Sequence, residues 1–274
     1  MQPRVLILRA PGTNSDREAA FAFEMAGARA ELVHLNRLLE NPKLAADYQI
    51  LCLPGGFSYG DDISAGRIFG NEMRHHLQDD LAAFKAAGKL MLGICNGFQI
   101  LIKSGVLLPD SAAEPTATLT LNDSGKYEDR WVHLQVPANN CVFLRGIDRM
   151  YLPVAHAEGK FVPRDSATLA QLESNDQLAL RYAEPESEIS NLTSEISNLK
   201  SEISDLTSQI PYPANPNGAL ANVAGVCDET GRVLGLMPHP ERNIDPTHHP
   251  RWTREMPDRG DGLAMFENAV NYFR

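Results

Sequence analysis

The chain has 274 residues, of which 43% are hydrophobic and 22% charged, with a formal charge of −10. That length holds one large α/β domain or two small ones around a sizeable core. The acidic balance disfavours nucleic acid and anionic membrane surfaces as partners. The apolar run in the opening MQPRVLILRAPG is too short for a signal segment and no stretch approaches a membrane span, so a cytoplasmic protein is expected.

Arg4 to Arg9 (RVLILR) predicts a strand, followed by the loop Ala10 to Asn14. Ser15-Asp16-Arg17-Glu18 has the form of a capping box opening a helix that ends near Gly27. Strands are predicted at Glu31 to Leu35 and Tyr48 to Leu53, the latter running into Pro54-Gly55-Gly56-Phe57-Ser58-Tyr59-Gly60-Asp61-Asp62. One amphipathic helix is expected from about Arg67 to Ala87, then a buried strand from Lys89 to Ile94 and a helix from Asn96 to Ser104 capped by Gly105. Strands alternating with helices at these intervals imply a parallel, doubly wound sheet with ligands at the carboxyl ends of its strands. From Pro115 the texture changes to strand-like runs at Thr116 to Leu121, Trp131 to Val136, Met150 to Ala155 and Leu178 to Tyr182, expected as an antiparallel or mixed extension of the same domain. After a repetitive stretch, Glu186 to Ile210, come strands at Leu220 to Cys227 and Arg232 to Met237 and a closing helix from about Gly262.

Gly93-Ile94-Cys95-Asn96-Gly97 lies at a strand-to-helix junction and is a G-x-C-x-G form of the nucleophile elbow. Such a turn strains the middle residue and needs neighbours without Cβ atoms. It leaves the thiol at a helix N-terminus, where free N–H groups favour the reactive thiolate. The plain alternative is a buried, inert cysteine. A cysteine nucleophile needs a base and the base an orienting partner. His239-Pro240-Glu241 offers both, since residues two apart on an extended backbone face the same side. Pro240 places the motif at a strand end; the alternative is a polar turn. Pro54-Gly55-Gly56 can aim a backbone N–H at an oxyanion beside the N–H of Asn96, or be an ordinary tight turn. The other cysteines, Cys52, Cys141 and Cys227, read as strand-core residues, and no C-x-x-C suggests a disulfide frame or zinc knuckle. His75-His76 and His248-His249 lack companions at metal-ligand spacing and read as solvated surface histidines, so no metal site is predicted. No G-x-x-x-x-G-K-[ST] phosphate loop occurs.

Taken together, Gly93 to Gln99 (GICNGFQ), Pro54 to Asp62 (PGGFSYGDD) and Met237 to Arg242 (MPHPER) resemble the class I, triad glutamine amidotransferases. The flanking blocks RAPGTN (Arg9 to Asn14), AHAEGKF (Ala155 to Phe161) and YPANPNG (Tyr212 to Gly218) are similar, within that family, to the glutaminase subunits of phosphoribosylformylglycinamidine synthases. The resemblance spans nearly everything except Glu186 to Ile210. It implies a flavodoxin-like sheet, Cys95 as nucleophile, His239 as base, Glu241 as its orienter and Gln99 as a contact to bound L-glutamine. It also implies hydrolysis through a glutamyl thioester. The ammonia then passes to a large synthetase subunit, often joined by a small accessory one, for ATP-dependent amidation of formylglycinamide ribonucleotide in purine biosynthesis. ATP and magnesium would belong to that partner, with no cofactor in this chain. His156 and Glu158 match a family block and stand either near the partner interface or at a polar strand end. Two other readings stay open: an autonomous cysteine amidase or γ-glutamyl peptidase of the same fold, and a non-catalytic assembly subunit.

The last reading would rest on Glu186 to Ile210, where SEISNLT, SEISNLK and SEISDLT recur at seven residues. Ile189, Ile196, Ile203 and Ile210 with Leu192, Leu199 and Leu206 make the a/d pattern of a coiled coil. A continuous helix here would run roughly 37 Å, while Pro211 to Asn217 can return at most about 25 Å. The expectation is therefore a single amidotransferase domain over 1–274 carrying a dispensable, exposed insertion at 186–210, helical in part at most.

Overall fold

The structure, a computed structural model, describes residues 2–110, 114–185 and 209–274. Apart from Gln209 and Ile210, the heptad insertion lies outside the described residues. Apolar runs with no polar alternation form the central strands, because strands covered on both faces have no side to give to water. Arg4–Arg9 (β1), Arg29–His34 (β2), Ile50–Leu53 (β3), Leu90–Ile94 (β4) and, much later, Val233–Leu236 (β11) pair in parallel in the order β2-β1-β3-β4-β11. The order reverses between β1 and β3. Right-handed crossovers therefore put Asp16–Met25 (α1) on one face and Arg67–His76 (α3) with Gln78–Ala86 (α4) on the other. Leu35–Glu40 (α2) follows β2, and Asn96–Lys103 (α5) packs over β3, β4 and β11.

The second half extends the same sheet antiparallel, as expected. Val223–Cys227 (β10), Leu180–Ala183 (β9), Glu128–Gln135 (β6) and Arg149–His156 (β7) follow β11 in that spatial order. Ala117–Thr120 (β5) does not join them. It pairs with Lys160–Pro163 (β8) in a separate two-stranded sheet. Ser166–Ser174 (α6), Trp252–Glu255 (α7) and Leu263–Asn271 (α8) complete the regular elements, and the α8 face carrying Phe266 packs edge-on against Phe23 of α1 at 4.9 Å.

Several local expectations change. The helix expected over Arg67 to Ala87 is two, because Leu77 leaves helical geometry with φ −124° and ψ 3° and turns its side chain into the core. Ser15 forms no capping box: its hydroxyl and the Glu18 carboxylate both accept from Arg242 instead. Cys141 is buried as expected but precedes a short 3-10 turn rather than lying in a strand. His75 and His76 are exposed, whereas His249 is buried, its ring packed on Trp131 and Tyr151 and its Nε2 3.4 Å from Glu255.

Candidate active site

Parallel register brings the site together. Leu53 of β3 lies opposite Gly93, and Ile94 opposite Leu236, so the segments leaving β3, β4 and β11 emerge side by side. Cys95 N–H donates to Leu236 O at 2.7 Å, pinning Cys95 to the strand that leads into His239. The elbow has the strain its sequence foretells: Cys95 sits at φ 52°, ψ −106°, a conformation that costs on the order of 1–3 kcal/mol for a residue with a Cβ. Gly97 is forced by close approach, since a Cβ there would stand 1.9 Å from Leu53 O.

His239 and Glu241 face each other for a reason other than the extended backbone expected. Pro240–Arg242 is a 3-10 turn, and it folds the carboxylate back so that Oε1 lies 2.6 Å from His239 Nδ1. A carboxylate only accepts, so Nδ1 carries a proton and Nε2 is the nitrogen left for chemistry. Nε2 is buried and makes no hydrogen bond among the described residues. Burial opposes charge on His239, but Glu241 and then Cys95 outweigh it and hold the imidazole up at about 10. The ring is therefore an imidazolium at neutral pH, able to give a proton to a leaving group.

The Pro54-Gly55-Gly56 loop abuts this pair. A Cβ on Gly55 would lie 2.7 Å from His239 Cε1, and Gly55 O is engaged by Asn14 N–H and Ser15 N–H. Gly56 takes φ 145°, with Phe57 N–H tied to Gly12 O. The N–H groups of Gly55, Gly56 and Asn96 donate to no acceptor among the described residues. Free donors beside a nucleophile and an imidazolium are what a tetrahedral oxyanion needs.

The antiparallel half closes the site from above. Although β7 lies at the far edge of the sheet, Cys95 Sγ lies 3.6 Å from Ala155 O, and His239 N–H donates to Pro153 O at 2.8 Å. The sheet therefore curls back over the elbow. His156 is buried at the end of β7. Asn122 Nδ2 donates to the carbonyls of Lys126 and His156, so Asn122 Oδ1 is an acceptor and fixes His156 as its Nδ1–H tautomer. Burial first, then the charge on His239, holds His156 down at about 3, so it stays neutral.

Gln99 reaches the site with both ends of its amide engaged: Oε1 accepts from Asn96 Nδ2 at 2.9 Å and Nε2 donates to Glu158 O at 2.6 Å. Each end keeps a second hydrogen-bonding position, so a contact to substrate through Gln99 does not require either bond to open. Sequence reasoning did not single out Arg242, Ser58 or Asp61. Arg242 braces the Pro240–Arg242 turn against Ser15 and Glu18. Asp61 is raised to about 6, chiefly by burial, with Glu158 adding and the Gly66 N–H opposing. Both Ser58 and Asp61 stood in the PGGFSYGDD block, where only the glycines had an individual chemical signature.

Comparison with known proteins agrees with this geometry. The family model of the CobB/CobQ-like glutamine amidotransferase domain matches residues 2–273. The chain is 45% identical to phosphoribosylformylglycinamidine synthase subunit PurQ of Dehalococcoides mccartyi, covering 99% of this chain and 98% of that one. With the subunit of the same name from Methanococcus maripaludis the identity is 40% over 100% and 99%. Among solved structures, that of PurLQS from Thermotoga maritima superposes with a TM-score of 0.68 at 31% identity, covering all of both chains. A Thermoplasma acidophilum chain described as part of a GMP synthase, at 13% identity and TM-score 0.51, shares the fold. A cysteine elbow, a buried His–Glu pair and relatives matched from end to end lead to one assignment: the chain belongs to the CobB/CobQ-like glutamine amidotransferase family, in the group of its PurQ subunits.

Proposed function

We propose that the chain is the glutaminase subunit of a phosphoribosylformylglycinamidine synthase, supplying ammonia for the ATP-dependent amidation of formylglycinamide ribonucleotide. The observation that carries this is the buried His239–Glu241 pair set against the strained Cys95 elbow. Cys95 Sγ adds to the side-chain amide carbon of glutamine, and the carbonyl oxygen takes the negative charge. Asn96 N–H and an N–H of Gly55 or Gly56 hold that oxygen. As the C–N bond breaks, His239 Nε2 gives its proton to the leaving nitrogen and ammonia departs, leaving a γ-glutamyl thioester. Neutral Nε2 then takes a proton from water as it attacks the same carbon, and collapse of the second oxyanion releases glutamate and Cys95.

ATP and magnesium belong, in this reading, to the synthetase subunit, consistent with the lack of a phosphate loop motif in this sequence. Phe57, Ile63 and Tyr127 support docking of that synthetase at the mouth of the site, with a small accessory subunit completing the complex. They are 45%, 85% and 49% exposed, and Phe57 and Tyr127 stack at 6.4 Å. No helix among the described residues is long and apolar enough to cross a membrane, in keeping with a cytoplasmic enzyme. The test is to purify the chain with its synthetase and compare glutamine- with ammonia-dependent turnover. Cys95→Ala should abolish the first and leave the second. A glutamine-analogue affinity label should modify Cys95 and spare Cys52, Cys141 and Cys227, which are at most 1% exposed. Equal labelling of any of those three, or glutamine-dependent synthesis by Cys95→Ala, overturns the assignment.

A further inference from the structure

The two halves of the oxyanion site come from different parts of the chain, the loop after β3 and the first turn of α5, and something must hold them in register. Preorganised donors act only when fixed to within about half an ångström. The Asn96 side chain is the physical link between them. It is 2% exposed, and every hydrogen-bonding position on its amide is filled. Oδ1 accepts from Ser58 N–H at 3.2 Å and from the Ser58 hydroxyl; Nδ2 donates to Asp61 Oδ1 at 3.2 Å and to Gln99 Oε1 at 2.9 Å. The orientation is not arbitrary. A backbone N–H can only donate and a carboxylate, when ionised, only accept, so the amide fits one way round.

Its partners sit on a strained loop that also leans on backbone bonds, Tyr59 N–H to Pro11 O at 2.7 Å and Gly60 N–H to Phe57 O at 2.8 Å. Tyr59 and Asp61, on either side of Gly60, take φ of 56° and 54°, left-handed positions that residues with a Cβ keep only when surroundings over-determine them. Ser58 is two residues from Gly56, so a bond to Ser58 constrains the glycine donors. Through Gln99 the same amide also reaches Glu158 O in the segment that lays Ala155 O against Cys95.

We propose that the Asn96 side chain, clamped by Ser58 and Asp61, is a positioning residue that sets the separation of the oxyanion donors. This rests on the glutaminase reading. The clamp acts on carbonyl chemistry and leaves the nucleophile alone. Losing it lowers kcat, because the oxyanion exists only along the reaction path, and leaves KM within about threefold.

The experiment uses the complex with its synthetase and the variants Asn96→Ala and Ser58→Ala, the second removing one hydroxyl and leaving the Ser58 N–H bond. Each is assayed for glutamine turnover and for Cys95 alkylation by iodoacetamide, which forms no oxyanion, with peptide mapping to locate the label. We expect kcat to fall about 100-fold for Asn96→Ala and about 3- to 10-fold for Ser58→Ala. Alkylation should stay within about twofold of the unsubstituted protein in both, and Ser58→Thr should recover most of the turnover. A parallel loss of alkylation, or a kcat unchanged in Asn96→Ala, overturns the proposal. If Asn96→Ala does not fold, unchanged turnover in Ser58→Ala overturns it equally. If the unsubstituted complex hydrolyses no glutamine, the functional reading fails instead, and the two outcomes are distinct.

Discussion

Replacing Glu241 with glutamine keeps the shape of the triad and removes one negative charge. His239 is held at about 10, against an ordinary value of 6.5, even though burial pushes the other way. That excess corresponds to on the order of 5 kcal/mol of preference for the imidazolium, and with His239 2% exposed, water screens little of it. Glu241 is the larger of the two charges responsible, so Glu241→Gln lowers the His239 value and leaves burial opposed by Cys95 alone. At about pH 8 less of the variant's imidazole is protonated, and the step that protonates the departing nitrogen slows. A glutamine carbonyl can still accept from Nδ1–H and preserve the tautomer. The loss should therefore be about 100-fold in kcat, well short of His239→Ala. The sign for stability follows from the same shift. A raised histidine contributes stability in full below 6.5 and loses it as pH rises through about 10, so unfolding free energy should decline across that window in the unsubstituted protein and flatten in Glu241→Gln. The assays are NMR titration of the His239 Cε1 resonance and denaturant melts over the same pH series. A variant His239 still titrating above 9, or a native one near 6.5, refutes the reasoning.

Gly55→Ala should cost at least about 100-fold in glutamine turnover with the fold retained, because its methyl would stand 2.7 Å from His239 Cε1 and push the ring off its position; far-UV circular dichroism and turnover check this together. Asp61 is raised to about 6, so its ionised form is disfavoured by folding, and that cost is absent at low pH and present in full above about 6. Asp61→Asn, which keeps an acceptor for Asn96, should raise the melting temperature more at about pH 7.5 than at about pH 4.5; a shift that does not grow with pH counts against the assignment. Replacing residues 186–208 by a short Gly/Ser linker should leave glutaminase and synthase rates within about twofold. The flanks are tied independently, Glu184 O by Arg149 Nη2 at 2.8 Å and Ile210 N–H to Asn222 Oδ1 at 2.9 Å.

Sequence reasoning reached furthest where local chemistry and tertiary position demand the same residue. The apolar run of β4, the tight strand-to-helix turn between two glycines and a left-handed Gly105 follow from local chemistry, and the structure adopts each. It faltered where a distant partner competes. Ser15 and Glu18 satisfy the capping-box pattern, yet Arg242, more than 220 residues away, takes both side chains. The helix break at Leu77 carries no glycine or proline, and nothing local marks it. His249 looks like a surface histidine in a polar stretch, and only the fold brings Trp131 and Tyr151 beneath it. The pairing of His239 with Glu241 was legible for a partly mistaken reason, because a 3-10 turn, not an extended strand, brings them together.

The seat of β11 between β4 and β10 has a consequence for synthesis. The strand that delivers Cys95 is complete at Ile94, but its second neighbour ends at Leu236, so about 140 residues must be translated before that edge is paired. At ribosomal rates of about 5 to 20 residues per second, the hydrogen-bonding edge of β4 stands open for roughly 7 to 30 s. An open, wholly apolar edge is a template for another chain, and no hydrolysis is available from the nascent protein, since His239 and Glu241 arrive on the segment that closes the gap. In the glutaminase reading, activation and protection of the edge are thus a single event of folding, and a chain truncated before β11 should be both inert and prone to aggregate.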